Sequence, residues 1–557
     1  MNAEIWSEST KTEVRRQLQI CYDTHDACRL SRKDFTPSHL IEISHCSSSP
    51  SGFTLRLTKD IQGSAPYAAL SYCWGGDQEL KTTQKTIHAH LKSISQDAIP
   101  ATISDAVQVA YDLGFRYFWV DALCLIQDLR PNELHTLIAE IPQIYRHASL
   151  TIAAYSSEKA DQGFLHRRNI RNIPTESSTS GDLSEHQILI KRLHGRSGLA
   201  MMRFYKHASE SSGFVGPIDR RGWTLQERIL SRRYLIFSDS VTQWTCNKCI
   251  TQNRHPTDGG SEWWLRCSGV PHFSVQRMLD NQIRLWKEGE RNNQNSKKNF
   301  HHLWRALVQV YTNRHLGSLG DRPIAISALA DELGSREDYA AGLWLSNLAT
   351  DLCWGISRFP SINKPVTTYY APSWSWWSVS KAISWTESPW RYADPRFRLL
   401  LYRTQLAHPS APFGYLRNAI LRVQVRCGSV TVGFDPDRGT PWNWSTYYTL
   451  NYDSSKRGIG QIFITIDRPI LFRKGEEISA RLIVLVVGKD RRPKEGLIIA
   501  AHTSSTDERN EQNEIYYRLG CFKQPGEGID YGPIDSADNE RFTKWLEEQP
   551  VETITLV

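Results

Sequence analysis

The sequence has no long apolar run of the kind that membrane proteins need. Its longest run, at 482–488, is far shorter than the roughly 20 residues that span a bilayer, and it predicts a buried β-strand instead. The opening residues lack a basic segment followed by an apolar one, so they do not predict a signal peptide. We therefore expect a cytoplasmic protein that has no contact with a membrane.

The excess of positive over negative charge is also small for a chain of this size. The 67 Lys and Arg residues exceed the 59 Asp and Glu residues by only 8 over 557 positions, and no long basic run gathers them. Because phosphate binding needs positive charge concentrated on one face, nucleic acid is not an expected partner. The Walker, HExxH and GxSxG motifs are missing as well, so the sequence does not predict the sites that those motifs form.

Cysteines are scattered rather than arranged in a framework. Their number is odd, 11, which together with the missing signal peptide favours reduced thiols over disulfides. Two groups contain residue types that zinc binds: Cys21, His25 and Cys28 with Cys46 as a fourth ligand, and Cys246 and Cys249 with His255 and Cys267 beyond them. Neither group shows a pair of CxxC motifs, so we predict no metal site and keep zinc at either group as an alternative.

Composition and periodicity divide the chain into four parts. These are an N-terminal lead segment at 1–60, an α/β domain at 61–250, a helical Trp-rich region at 261–395 and a β-rich region at 396–557. The stretch "APSWSWWSV" at 371–379 alternates Trp with Ser, which predicts a strand that buries its indoles. A stacking platform for sugars or nucleobases is the alternative.

Strand-like and helix-like segments alternate within the α/β domain. This order predicts parallel strands joined by right-handed crossovers, in which ligands bind at the carboxyl ends of the strands. Trp74, Gly75 and Asp121 lie at such ends, so we expect them at a ligand site, although Asp121 could equally cap the turn that follows it. A segment rich in Ser, Thr and Asn, at about 157–219, interrupts the alternation before the last helix and strand.

The stretch "RGWTLQERIL" at 221–230 predicts a short helix with an acidic residue beside its bulkiest apolar one. Trp223 and Glu227 are four positions apart, so both side chains lie on one helix face. One interpretation is a catalytic carboxylate at the rim of the ligand site, with Trp223 as a wall. The other is that Trp223 anchors the helix while Glu227 pairs with Arg232, Arg233 or a backbone N–H.

Cys124 and His147 form a further candidate pair, as nucleophile and base. No sequence feature places the imidazole beside the thiol, so a buried structural cysteine is the favoured interpretation.

Several ordered blocks of the sequence carry a resemblance to a known family. "YAALSYCWGG", "IPATISDAVQVAYDLGFRYFWVDALCLIQD", "HASLTIAAYS" and "RGWTLQERILSRR" resemble the successive signatures of the fungal heterokaryon-incompatibility (HET) domain. The later "DYAAGLWLSNLATDLCW" and "YYAPSWSWWSV" are similar to segments that often follow that domain. The resemblance implies a protein of non-self recognition and programmed cell death, whose partners are other HET-type proteins or further copies of itself.

HET domains have been suggested to be distant relatives of TIR domains, which implies a TIR-like, flavodoxin-like α/β fold. TIR domains that hydrolyse NAD carry their catalytic glutamate on a helix with a similar W-C-x-x-E pattern. The resemblance therefore implies that Glu227 is the catalytic residue and that NAD is the substrate, and it indicates no certain cofactor. The segment of about 60 residues before this helix is much longer than the TIR connection. Two alternatives stay open: a non-catalytic interaction module, and a biosynthetic enzyme built on the same scaffold.

Overall fold

The computed structural model divides the chain into two compact units, Met1–Arg291 and Asn292–Val557. The structure describes residues 4–29, 35–59, 61, 63, 65–166, 216–238, 242–247, 294–356, 371–385, 391–407, 413–434, 448–452, 463–467, 477–501, 514–524 and 536–557. Among these residues no helix is both long and apolar enough to cross a membrane.

The first unit contains seven strands and six helices in its described residues. The strands are β1 (His39–His45), β2 (Phe53–Lys59), β3 (Tyr67–Ser71), β4 (Tyr117–Trp119), β5 (Leu150–Ala154), β6 (Arg233–Phe237) and β7 (Thr242–Cys246). The helices are α1 (Glu8–Thr24), α2 (Ile87–His90), α3 (Ala101–Asp112), α4 (Asp121–Cys124), α5 (Pro131–His147) and α6 (Trp223–Leu230).

The seven strands form one mixed sheet in the order β2-β1-β4-β3-β5-β6-β7. The four middle strands, β4, β3, β5 and β6, are parallel, as the alternation of elements predicted. The strand order reverses at β3, because β4 lies on one side of it and β5, the following strand along the chain, lies on the other side. Antiparallel strands complete both edges: β1 and β2 from the lead segment, and β7.

The last strand pair corrects one prediction. The sequence "YLIFSDSVTQWTC", which follows the helix at 221–230, predicts a fourth single strand, but the chain makes two antiparallel strands there, β6 and β7. Both are short and buried, and Leu235 lies opposite Trp244 across the pair.

Local sequence explains how α3 ends, but two other local predictions for α3 and α5 fail. Gly114 ends α3 with a φ of +83°, a conformation that glycine adopts without strain. The sequence before the helical period predicts Thr102 as the N-cap of α3. This prediction is wrong, because α3 already starts at Ala101 and the Thr102 hydroxyl donates to the carbonyl of Lys159, at 3.1 Å. A proline inside a helical pattern, Pro142, predicts a kink or an early end, yet α5 runs without a break through all 17 of its residues.

The second unit has helices and short strands in its first part and is β-rich in its second part, and the β-rich second part was predicted from the sequence. Its described helices are α7 (Gln294–Thr312), α8 (Ile324–Leu333), α9 (Leu348–Asp351) and α10 (Ser536–Glu548). Its described strands are β8 (Tyr339–Ala340), β9 (Leu343–Trp344), β10 (Gly355–Ile356), β11 (Ile383–Ser384), β12 (Tyr392–Ala393), β13 (Arg398–Leu406), β14 (Leu416–Phe434), β15 (Tyr448–Asn451), β16 (Phe463–Ile466), β17 (Glu477–Val487), β18 (Pro493–Ala501), β19 (Ile515–Lys523) and β20 (Val551–Leu556).

The β-rich part is one nine-stranded sheet within the described residues. It is antiparallel except for the pairing of β19 with β20, and β14 pairs with both β20 and β17, so the sheet closes on itself. The closed sheet surrounds a core of aliphatic side chains, to which α10 adds Phe542 and Leu546.

The Trp-rich part of the second unit differs from its predicted local structure. The stretch 371–379 forms turns and a short 3₁₀ segment, Trp376–Ser378, rather than a strand. Its indoles are nevertheless buried, with Trp374 and Trp376 fully inaccessible, so they are core residues and not a stacking platform. Trp304 and Trp376 both donate to the carbonyl oxygen of Gly342, at 2.9 and 2.8 Å, which ties this core together.

Two further predictions in this unit were wrong. The stretch "AAGLWLSNLATDLCW" at 340–354 has apolar residues at helical spacing and predicts a helix, but the chain forms β8, β9 and the single turn α9 there. The polar stretch "EGERNNQNSKKNFHH" at 288–302 predicts a loop, but it is helical from Gln294 onward, where α7 begins, while its first residues lie outside the described part of the chain.

Candidate functional site

Glu227 lies beneath the carboxyl end of the central parallel strand. Its side chain projects from α6, and the residue is only 8% exposed. The carboxylate oxygen Oε2 accepts a hydrogen bond of 2.5 Å from the hydroxyl of Ser71, the last residue of β3. The glutamate is therefore turned toward the end of the sheet where the strand order reverses, and not into bulk solvent.

Burial dominates the electrostatics of Glu227. Removal of the carboxylate from water raises its pKa to about 7. The Ser71 hydroxyl, the Arg221 guanidinium and the Tyr145 hydroxyl lower the pKa in part, while the charge of Asp121 raises it further. A carboxyl group with a pKa near neutrality is a common feature of catalytic sites.

Asp121 is the second acidic group of this region. It starts α4, and its Oδ1 accepts from the backbone N–H of Ala122 at 2.8 Å, so the turn cap considered from the sequence is present. Its other oxygen, Oδ2, accepts from Trp74 Nε1 at 2.8 Å. Burial raises the pKa of Asp121, and Arg221 opposes this rise, as it does for Glu227. One guanidinium thus acts on both carboxyl groups.

Gly75 belongs to the turn that follows Trp74. Its φ is +74°, and a Cβ at this position would come within 2.7 Å of the Cα of Lys159. Ala160 donates its backbone N–H to the carbonyl of Trp74 at 3.2 Å, so the start of the 157–219 segment packs against this turn. Glycine is required here for close backbone packing, and no ligand is needed to explain it.

Trp223 is the first residue of α6 and is partly exposed, one helical turn before Glu227. The arginine two positions earlier, Arg221, donates to the carbonyl of Tyr72 at 2.7 Å and so ties the approach to α6 to the chain just after β3. Four of the predicted residues, Trp74, Gly75, Asp121 and Glu227, are therefore connected to the carboxyl ends of β3 and β4, and Trp223 lies on the helix that carries the glutamate.

Comparison with known protein families identifies the domain that holds these residues. Residues 67–227 match the family model described as heterokaryon incompatibility protein (HET). The chain contains a HET domain. The match starts at the first residue of β3 and ends at Glu227, which confirms the resemblance seen in the sequence for this segment. No curated protein and no solved structure matches the chain.

The HET domain also contains site residues that the sequence did not reveal. Ser71, Arg221 and Tyr145 all affect Glu227, and Tyr234, just beyond the match, donates to Ser71 Oγ at 3.5 Å. The available signals were slight: Ser71 is a polar residue that ends an apolar strand, and Arg221 opens the same motif as Glu227. Their approach to one carboxyl group is a tertiary property.

The alternative partners of Glu227 are not found. Among the described residues Glu227 makes no ion pair with Arg232 or Arg233; Arg233 instead donates to Cys21 Sγ at 3.0 Å and to two backbone carbonyls. The pairing of Glu227 with Arg232 or Arg233, which the sequence left open, is therefore absent from the described residues. The partner of Glu227 is the hydroxyl of a residue 156 positions away.

The Cys124 and His147 side chains have separate partners in the HET domain. Cys124 Sγ lies 3.9 Å from the carbonyl of Phe118, and His147 Nδ1 lies 2.8 Å from the carbonyl of Gln143. Burial raises the pKa of Cys124 to about 12, the reverse of what activates a nucleophilic thiol. This thiol is a buried structural group.

Proposed function

We propose that this chain is a HET-type protein of non-self recognition and cell-death signalling, and that its HET domain hydrolyses NAD with Glu227. The observation that carries the proposal is the buried carboxyl group of Glu227 at the carboxyl end of the central strand, with a pKa of about 7. Ligand sites of parallel α/β sheets form at such ends, where the strand order reverses.

The proposal includes a TIR-like fold for the first unit. Across the sheet the parallel strands lie in the order β4, β3, β5, β6. If they are numbered 1 to 4 along the chain, this spatial order is 2-1-3-4. This is the order of the first four strands of a flavodoxin-like sheet. The edge strands β1, β2 and β7 and the long segment between β5 and α6 are additions to that pattern.

The chemistry asks for one well-placed carboxylate. In NAD hydrolysis the bond from ribose C1′ to the pyridinium nitrogen breaks, its electron pair neutralises the pyridinium, and water attacks C1′ and loses a proton. Nicotinamide leaves without protonation, so no general acid is required. A carboxylate stabilises the oxocarbenium character of the transition state, which is the role we assign to ionised Glu227.

The neighbouring groups support this role. The Ser71 hydroxyl fixes the orientation of the Glu227 carboxylate through a bond of 2.5 Å. Arg221 favours the ionised form and thus keeps a useful fraction of it near pH 7. A hydrogen bond of 2.8 Å joins Trp74 to Asp121, and both residues are partly exposed. We assign Asp121 to binding of the ribose hydroxyls and Trp74 to the wall of the site.

The direct test is to incubate the purified full-length protein with NAD and to measure free nicotinamide and ADP-ribose by chromatography. We expect both products from the wild type and a loss of at least about 100-fold in the Glu227→Gln variant. The matched control is Glu79→Gln, since Glu79 is an exposed carboxylate that follows the same strand end. No turnover by the wild type, or equal turnover by Glu227→Gln, would contradict the enzymatic part of the proposal.

The signalling part has its own test. Expression of the wild type in a fungal host should arrest growth and lower cellular NAD, while Glu227→Gln at equal abundance should do neither. Growth arrest by both proteins without NAD loss would point to the alternative, in which the HET domain acts by binding another HET-type protein or a second copy of itself. Size measurement of the pure protein would then show self-association.

A further inference from the structure

A second group of chemically active side chains lies in the first unit, apart from the candidate site. Cys21, His25, Cys28 and Cys246 are all buried, and their ligand atoms all lie within 4.8 Å of one another. Cys246 Sγ is 3.4 Å from His25 Nδ1. In a tetrahedral zinc site, bond lengths of roughly 2.0–2.3 Å place neighbouring ligand atoms roughly 3.5–3.8 Å apart. The observed group needs only a small contraction to reach that geometry.

The local structure explains why these four side chains converge. Cys21 lies in the last turn of α1 and His25 follows its end, four positions later, so both face the same side. A 3₁₀ turn at Asp26–Cys28 then brings Cys28 back toward them. Cys246 is the last residue of β7, the edge strand of the sheet. Three ligands thus come from a helix end and the fourth from a strand end.

The surrounding charge fits an anionic centre. Arg233 is buried, and its guanidinium donates to Cys21 Sγ at 3.0 Å, to the Cys28 carbonyl at 3.1 Å and to the Ser149 carbonyl at 3.3 Å. Among the described residues no carboxylate pairs with Arg233. A zinc ion with three thiolates and one imidazole has a net charge of −1, which Arg233 would balance, and a donor to a metal-bound thiolate is a common outer contact.

We propose that Cys21, His25, Cys28 and Cys246 bind one structural zinc ion that fastens α1 to β7. Four protein ligands leave no open position, which is typical of structural rather than catalytic zinc. The proposal differs from the sequence prediction of no metal site, because it combines members of two groups that seemed separate. Cys46, expected as a fourth ligand, contacts Ser48 instead, and Cys249, His255 and Cys267 lie outside the described residues.

The first experiment measures zinc in the purified full-length protein by mass spectrometry after loosely bound metal is removed. We expect one zinc per chain in the wild type and in Cys46→Ser, and none in Cys246→Ser. Zinc-free wild-type protein would overturn the proposal, as would full zinc content in Cys246→Ser. A disulfide between two of the three cysteines, found by intact mass under non-reducing conditions, would overturn it too.

A second measurement protects the test against misfolding of Cys246→Ser. Cobalt(II) exchanged into the wild type should give the intense visible bands of a tetrahedral site and thiolate-to-cobalt charge transfer in the near ultraviolet. His25→Cys should keep a tetrahedral spectrum with stronger charge transfer, because a fourth thiolate replaces the imidazole. Octahedral, weakly coloured cobalt in the wild type would contradict the proposal. This test does not depend on NAD turnover, so it can fail or succeed independently of the proposed function.

Discussion

Buried carboxylates have different partners in the second unit and at the candidate site of the first unit. In the second unit, each of four buried carboxylates pairs with a guanidinium at 2.5–2.7 Å: Asp351 with Arg305, Asp394 with Arg426, Asp467 with Arg518, and Glu495 with Arg391. Glu227 is also buried, yet its carboxylate accepts a hydrogen bond from a neutral hydroxyl instead. A guanidinium that pairs with a buried carboxylate stabilises its charge, whereas a hydroxyl offsets only part of the cost of burial.

The difference separates scaffold from site rather than one unit from the other. In the first unit Glu42 is also buried, and it accepts from both Arg56 and Arg116, which lower its pKa although burial opposes them. Glu42 lies on β1, away from the strand ends where the sheet order reverses. Among the described residues, a buried carboxylate without an ion pair is therefore the exception, and it coincides with the place where α/β sheets bind ligands.

The largest expected effect comes from breaking one of the paired sites. Asp467→Ala should lower the free energy of unfolding by about 3–5 kcal/mol, because it leaves the fully buried Arg518 charge without its partner. Trp354, whose ring lies 3.3 Å from the guanidinium carbon, makes fluorescence during urea unfolding a suitable probe.

The control for that prediction is a pair that solvent reaches. Glu552→Gln removes the ion-pair partner of Arg481. The Glu552 side chain is 35% exposed and the Arg481 side chain 22%, so this change should lower the free energy of unfolding by less than about 1 kcal/mol. Equal losses in the two variants would mean that burial does not decide the strength of these pairs, and the comparison above would lose its basis.

An intermediate effect is expected from the unpaired site itself. Burial raises the pKa of Glu227 from 4.5 to about 7 in the folded protein, so the folded state holds a proton that the unfolded state has lost. Stability is therefore highest below pH 4.5 as far as this group is concerned, and it falls as the pH rises toward 7. At about 1.4 kcal/mol per pKa unit, the loss above pH 7 is about 3 kcal/mol.

Glu227→Gln removes this dependence. At pH 8 the variant should be more stable than the wild type by up to about 3 kcal/mol, and at pH 5 the two should differ little. Urea unfolding at both pH values, with hydrogen exchange of β3 and β5 as a local probe, measures the difference. Glu79→Gln should change neither value. A Glu227→Gln variant that is less stable at pH 8 would show that the carboxylate is structural after all.

The sequence was a good guide to the elements whose signals are local. The apolar runs of β3, β4 and β5 and the helical periodicity of α3 and α6 predicted a parallel α/β sheet, and the spacing of Trp223 and Glu227 placed both on one helix. Strand order along the chain also predicted that Trp74 and Asp121 would meet, since the carboxyl ends of parallel strands share one edge.

The rest could not be predicted because it depends on contacts between distant positions. The bond from Ser71 to Glu227 exists only once β3 and α6 pack together. The proposed zinc ligands combine Cys246 with Cys21, His25 and Cys28, which lie more than 200 positions earlier in the chain. Spacing within either of the two cysteine groups seen in the sequence cannot show that they meet. In the Trp-rich part, Ala341 and Gly342 adopt positive φ angles, so a stretch with helical periodicity becomes a tight turn between β8 and β9.

The smallest predicted effect concerns Arg221, whose guanidinium lowers the pKa of Glu227. Arg221 lowers the pKa of Glu227, so Arg221→Met should raise it. For the proposed NAD hydrolysis we expect an acid limb near pH 7 in the wild type, and Arg221→Met should move it upward by about one pH unit. The sign follows because the reaction needs the ionised carboxylate. Arg221→Lys keeps the charge and should leave the acid limb in place. Arg220→Met, at an exposed neighbouring arginine, should leave it in place as well. A profile of kcat/KM against pH that is identical in Arg221→Met and wild type would mean that the limb belongs to another group, and the assignment of Glu227 as the titrating carboxylate would have to be withdrawn.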